Sequence, residues 1–233
     1  MKDLLTDGLV QLGLENPGVG DLLGPRINGI SSLLVRYLEE IERFNPAFGL
    51  TGTKDRNGLV VRHVLDSLAP LGIIRRLLDS QAAASGGIAD VGSGAGFPGI
   101  PLALALPRHS FTLIERKEKR AAFLRGTLAA LGLSNVTVEE CEMEKAAPGR
   151  FGLVVSRAFH PLDRKLLKKL FRLCGSGGVL AAYKGRKEKI AEEIAALEGM
   201  NIRIDAVPCP VPFLDEERHI LIIKRETDPG ADP

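Results

Sequence analysis

Tryptophan is absent from the sequence and tyrosine occurs only twice, so a nucleic-acid surface gripped mainly by stacked aromatic platforms is not expected. Cysteine is scarce as well. Cys141, Cys174 and Cys209 stand far apart, with no C-x-x-C pair and no neighbouring histidine, which argues against a disulfide framework or a metal centre and leaves three reduced structural thiols. No apolar run approaches the ~18 residues of a membrane helix, so no membrane association is expected. The N-terminal stretch MKDLLTDGLVQLGLEN carries acids in its first turns and lacks the basic head and small-residue cleavage site of a secretory signal. A cytoplasmic protein is expected. No Ser/His/Asp triad stands at credible spacing. Charge of one sign is not in excess either, because the net charge is only +2. Its distribution is uneven: Arg157 to Lys189 holds ten Lys/Arg against two acids, and Ile190 to Glu217 one basic residue against seven acids. A local basic surface and a pair of solvated helix faces both fit that pattern.

What is present is an ordinary globular composition, 45% hydrophobic and 26% charged over 233 residues, enough for one large domain with an extension and a substantial core. The first 80 or so residues read as helix, with Asp21 to Phe44 and Asn57 to Leu78 carrying apolar residues at helical spacing. In the second of these, Val60, Val61, Val64, Leu65 and Leu68 share one side. Arg62, His63, Asp66 and Ser67 are expected on the opposite, non-core face. PAFGLTGT breaks the two helices apart, and SQAAASGG reads as a linker.

From Ile88 onward short aliphatic runs alternate with helical stretches, the pattern of βαβ units on a parallel sheet. Strands are expected at 88–92, 111–115, 136–140, 153–157, 179–184, 201–207 and 219–224, and helices at 98–106, 117–131, 162–173 and 187–198. The connection PCPVPFLDEER is too short for a crossover, so the last two strands should be antiparallel. The organisation expected is a helical N-terminal extension over 1–80, an α/β domain over 81–226 and a flexible tail over 227–233.

In an open parallel sheet ligands bind beyond the carboxyl ends of the strands. The first strand ends in Asp90-Val91-Gly92-Ser93-Gly94-Ala95-Gly96-Phe97, where glycines allow a sharp turn and close approach to a ligand. The second ends in Glu115, a carboxylate placed to take the ribose hydroxyls of an adenosine-containing cofactor. Gly94-x-Gly96-x-x-Gly99 also satisfies a dinucleotide fingerprint, so a nicotinamide cofactor stays open, as does a glycine turn that only packs helix on strand. Asp90 suits a positively charged methionine end better than a pyrophosphate, and Pro98 and Pro101 remove N–H donors from the following helical turn. Both features favour S-adenosylmethionine. Arg157 at the fourth strand end and Lys184 at the fifth add two cations to the rim, either for a phosphate or simply solvated. His63, Asp66 and Ser67, at i, i+3 and i+4, either close over the cleft or form a surface trio.

These residues together resemble the ribosomal small-subunit methyltransferase G family, also called glucose-inhibited division protein B. The likeness runs from about Phe44 to Lys224 through GLTG (49–52), RHVLDS (62–67), DVGSGAGFPGIPLA (90–103), KRAAFL (119–124), SRAF (156–159), YKG (183–185) and ERHIL (217–221). The resemblance implies a class I S-adenosylmethionine-dependent methyltransferase: a Rossmann-like, doubly wound, mostly parallel sheet with a terminal antiparallel strand. It implies methylation at N7 of a guanine in the 530 loop of 16S rRNA, position 527 in the usual rRNA numbering, with free rRNA or the 30S subunit as partner. No metal is implied, and a monomer is expected. By the same resemblance Gly92, Phe97, Glu115, Met143, Glu144 and Arg157 bind the cofactor, joined by Asp90, Gly94 and Gly96 of the strand-end loop, and Arg120, Lys184, Arg218 and His219 are expected to face the substrate. His63, Asp66 and Lys184 are the catalytic candidates; because N7 methylation makes the purine cationic, a nearby carboxylate would help, and Asp66 is the candidate for it. Two positions depart from the family pattern: Gly49 replaces the usual asparagine before Leu-Thr, and Glu142 replaces the usual arginine.

Overall fold

The computed structural model describes residues 2–15, 26–79, 86–157 and 161–226. Phe159 and the 227–233 tail lie outside the described residues. Among the described residues, four helical stretches precede the sheet. These are α1 (Lys2–Glu15), α2 (Ile27–Phe48), a segment made of α3 (Arg56–Leu59), a π-helical stretch Val60–Leu65 and α4 (Asp66–Leu68), and α5 (Leu71–Asp79). The Asp21–Phe44 helix is thus described from Ile27 and runs on to Phe48. It stops at Gly49, whose backbone is left-handed with φ +58° and whose N–H donates to Asn45 O at 2.9 Å, a conformation that costs glycine nothing.

The expected Asn57–Leu78 helix is interrupted twice. A turn at Ala69-Pro70 divides it, since proline has no N–H for the helical ladder and its ring clashes with the preceding turn. The π-helical stretch inserts an extra residue per turn and rotates the faces that follow. Asp66 and Ser67, expected on the solvent side, are consequently buried, at 7% and 0% exposure. The Tyr183 hydroxyl donates to Ser67 O at 2.8 Å and fixes this segment on the sheet.

The sheet has seven strands in the order β3-β2-β1-β4-β5-β7-β6: β1 (Gly87–Val91), β2 (Phe111–Ile114), β3 (Val136–Glu139), β4 (Phe151–Arg157), β5 (Cys174–Lys184), β6 (Ile202–Pro208) and β7 (His219–Arg225). The first five are parallel. β7 runs antiparallel between β5 and β6, pairing Ala182 with Leu221 and Ala206 with Leu221 on its two edges, as the short connection required. Between strands lie α6 (Gly99–Ala105), α7 (Glu118–Leu131), α8 (Arg164–Leu173) and α9 (Lys187–Ala196). Strand residues alternate between two cores: Leu153 and Val155 join one that includes α6, α7 and the N-terminal helices, while Val154 joins the other under α8 and α9. Leu34, Tyr37, Leu38 and Ile41 of α2 are fully buried in the first core, each worth roughly 1.5–3 kcal/mol of burial. The N-terminal helices therefore share their core with one face of the sheet.

Candidate functional site

At the carboxyl edge of β1 the chain turns through Gly92, Gly94 and Gly96, with φ of 72°, 57° and 99°. Gly94 N–H donates to Glu115 Oε2 and Lys117 N–H to Glu115 Oε1, both at 2.9 Å. Glu115 thereby pins the glycine loop to the end of β2, and each of its oxygens keeps a further lone pair for a ligand. The Phe97-Pro98 peptide is cis. The loop borders a cavity of about 740 Å³, also lined by Thr51 of the GLTG segment and by Glu142 and Met143 after β3. Of the residues assigned to a cofactor, Gly92, Gly94, Phe97, Glu115, Met143, Glu144 and Arg157 line it, as does Arg120.

Asp90, at the end of β1, and Gly96, within the loop, do not line this cavity. Asp90 is 1% exposed, its Oδ2 accepts from Gly99 N–H at 2.9 Å, and its Oδ1 makes no hydrogen bond. Burial pushes this carboxyl up to about 6, because a charge without water is costly there. A Cβ at Gly96 would lie 2.5 Å from Ile100 Cδ1 and 3.0 Å from the Tyr37 hydroxyl. Backbone freedom and close packing both demand glycine at that position.

A second cavity of about 400 Å³ adjoins the first and shares His63 and Arg157 with it. Asp66, Lys184, Arg218 and His219 all line it. The Arg157 guanidinium sits 5.0 Å above the Phe97 ring and donates to Asp66 Oδ2 at 3.0 Å. The other oxygen of Asp66 accepts from Arg218 Nε at 3.0 Å. Asp66 is thus a buried link between two arginines rather than a free carboxylate. Lys184 pairs with Glu193 at 2.6 Å, and His219 Nδ1 donates to Gly185 O at 2.8 Å.

His63 stacks on Phe97, with centroids 5.0 Å apart and planes 22° apart. Its Nδ1 lies 3.2 Å from Arg157 Nη2, and its Nε2 lies 3.0 and 2.9 Å from the hydroxyls of Thr51 and Thr53. A guanidinium can only donate, so Nδ1 accepts and Nε2 carries the proton. Burial first, then Arg157 and Arg62, lower this imidazole to about 4, and it is neutral at physiological pH.

Against this geometry, a model of the rRNA small subunit methyltransferase G family matches residues 30–221. The chain belongs to that family. The ribosomal RNA small subunit methyltransferase G of Treponema denticola is 37% identical, covering 96% of this chain and 96% of its own. That of Cellvibrio japonicus is also 37% identical, covering 96% and 95%. Among solved structures, a SAM-dependent methyltransferase from Aquifex aeolicus superposes with a TM-score of 0.53 at 21% identity, covering 72% of this chain and 93% of that one. A protein from Corynebacterium glutamicum superposes with the same TM-score at 15% identity, covering 86% and 92%. These likenesses show the class I methyltransferase fold, with β7 inserted antiparallel.

Membership of the family gives meaning to the two departures. Gly49 occupies a left-handed position, where asparagine is the other common residue, so this exchange keeps the backbone; its carbonyl accepts from Arg120 at 3.0 Å. Glu142 is exposed at the cleft border, where an anion is tolerated in water.

Sequence reasoning missed three contributors to the site. Tyr37 reads as an ordinary core aromatic in LVRYLEE, yet its hydroxyl reaches the glycine loop. Thr53 follows directly on the quoted GLTG segment, and only its contact with His63 reveals a purpose. Arg172 looks like one more cation on a basic helix, but its Nη2 donates to Met143 O at 2.6 Å and Ala146 O at 2.7 Å, holding the loop that borders the cleft.

Proposed function

We propose that this chain methylates N7 of a guanine in the 530 loop of 16S rRNA, in the cytoplasm, with S-adenosylmethionine as methyl donor. The observation that carries the reading is the shared wall: His63 and Arg157 line both cavities, so a base in the second cavity meets a cofactor in the first across those two side chains. The larger cavity suits an adenosine-bearing ligand, with Glu115 for ribose hydroxyls and the Met143 loop beside the adenine. Bound there, S-adenosylmethionine supplies an electrophilic methyl group. The smaller cavity is of a size that holds a nucleobase.

The residues of the wall suit attack by N7. That nitrogen carries an in-plane lone pair and no proton, so no general base is required, and His63, held neutral with Nδ1 occupied by Arg157, is not placed to act as one. Its work is orientation: Thr51 and Thr53 fix His63, and His63 with Asp66 fixes Arg157 over Phe97. The purine becomes cationic as the methyl moves, and the Arg157 charge facing it is offset by Asp66 behind, which limits repulsion at the transition state. Positioning then supplies most of the rate.

The test is transfer of labelled methyl from S-adenosylmethionine to 30S subunits lacking the modification, with the labelled nucleotide mapped and a Glu115→Ala control. Label at a 530-loop guanine N7, lost in the control, is the expected result. Label elsewhere in the rRNA would overturn the assigned base while leaving the family intact.

A further inference from the structure

Arg62, on the π-helical stretch, and Arg218, just before β7, are far apart in sequence and both reach Glu216. Arg62 Nη1 lies 2.5 Å from one carboxylate oxygen and Arg218 Nη2 lies 2.9 Å from the other. Arg218 is pre-oriented, since its Nε is tied to buried Asp66 at 3.0 Å and its Nη1 donates to Glu217 O at 2.9 Å. Arg62 and Glu216 are by contrast half-exposed, with side chains at 50% and 44%. An ion pair so open to water is weak and readily exchanged. Both arginines line the second cavity, and Glu216 does not. Two guanidinium groups converging on two oxygens of one anion is the arrangement by which arginines hold a phosphodiester.

We propose that Arg62 and Arg218 form a phosphodiester clamp at the mouth of the second cavity, and that Glu216 is a built-in competitor occupying the clamp until an RNA strand displaces it. The inference rests on the rRNA reading above. The hydrogen bonds from Arg62 and Arg218 hold the Glu216 carboxyl below its usual range, so the competitor stays ionised at neutral pH. It screens the clamp against indiscriminate polyanions. Only a strand whose base also fills the cavity gains enough from further contacts to push Glu216 aside.

The experiment is fluorescence anisotropy with the full chain and a labelled single-stranded oligoribonucleotide of mixed sequence, across a salt series, for wild type, E216Q and R62Q/E216Q. Removing the competitor should tighten binding of E216Q about fivefold at low salt. It should also steepen the log–log salt dependence by about 0.7, the contribution of one added phosphate contact on a single strand. R62Q/E216Q should lose both gains. Inorganic phosphate at matched ionic strength should not displace the oligonucleotide, which separates a strand phosphate from a free one; competition by phosphate would overturn the strand-specific clamp. Equal affinity and slope for wild type and E216Q, or weaker binding by E216Q, would overturn the clamp alone and leave Glu216 as a clip for the β6–β7 connection. No RNA binding by any of the three would overturn it together with the rRNA reading. S-adenosylmethionine binding, followed by thermal shift in the same samples, should be unchanged throughout.

Discussion

The Tyr37 hydroxyl donates to the carbonyl oxygen of Ala95 at 2.7 Å, and its ring lies 5.1 Å from that of Phe97. One residue of the N-terminal helical layer thus holds the middle of the glycine loop from below and supports the aromatic ring on which His63 and Arg157 rest. Burial raises the phenol well above its ordinary range, so it remains a donor at any physiological pH. The helical layer is part of the cleft floor.

Tyr37→Phe should therefore act on the cofactor site from a distance. It leaves Ala95 O buried without its donor, a loss of about 1–3 kcal/mol, measurable by urea denaturation. The Michaelis constant for S-adenosylmethionine should rise several-fold with little change in turnover, since no reacting group is touched.

Gly94→Ala and Gly96→Ala should differ in severity although both glycines have positive φ. At Gly94 nothing approaches an added Cβ closer than 3.8 Å, leaving only the left-handed backbone cost of about 1–2 kcal/mol. At Gly96 the Cβ would press on Ile100 at 2.5 Å and on Tyr37 at 3.0 Å, adding overpacking of about 1–3 kcal/mol. Thermal unfolding of the two variants side by side checks the order.

Half-buried His63 and buried Asp90 give opposite pH dependences. His63 stays neutral down to about 4 in the folded chain and titrates near 6.5 when unfolded. Between those values the unfolded chain holds the extra proton, so the contribution is full above pH ~6.5 and is lost as pH falls to ~4. Asp90 keeps its proton up to about 6 when folded and loses it near 3.9 when unfolded, so its contribution is present at low pH and is lost as pH rises through ~6. His63→Asn should flatten the loss on acidification. Asp90→Asn should stabilise the protein at pH ~7 by up to about 3 kcal/mol, with little gain at pH ~4, as read from urea midpoints at both pH values.

Arg172→Ala should loosen the loop carrying Met143 and weaken S-adenosylmethionine binding by about tenfold, or roughly 1.4 kcal/mol, followed by calorimetry. Both bonds leave one nitrogen of Arg172. Arg172→Lys, whose ammonium has three donors, should recover part of the affinity.

The alternation of strands and helices after Ile88 is written in local periodicity, which is why the seven strands and the antiparallel β6–β7 pair fall where the spacing placed them. Glycines at strand ends and the acid at Glu115 are equally local signals, for they answer to backbone conformation and to the rule that ligands bind at carboxyl edges. The sequence by itself therefore determined the α/β class, the position of the cleft and most of the residues around it. Tertiary structure alone decided what the polar residues do there. Asp66 looked like an exposed carboxylate on a regular helix; a π-helical stretch and the packing against Tyr183 buried it between Arg157 and Arg218, 91 and 152 residues away. His63 stood as a catalytic candidate, and its neighbours Thr51, Thr53 and Arg157 made it a neutral spacer. The charge state and reach of a side chain depend on groups brought near by folding, at separations that no local pattern encodes.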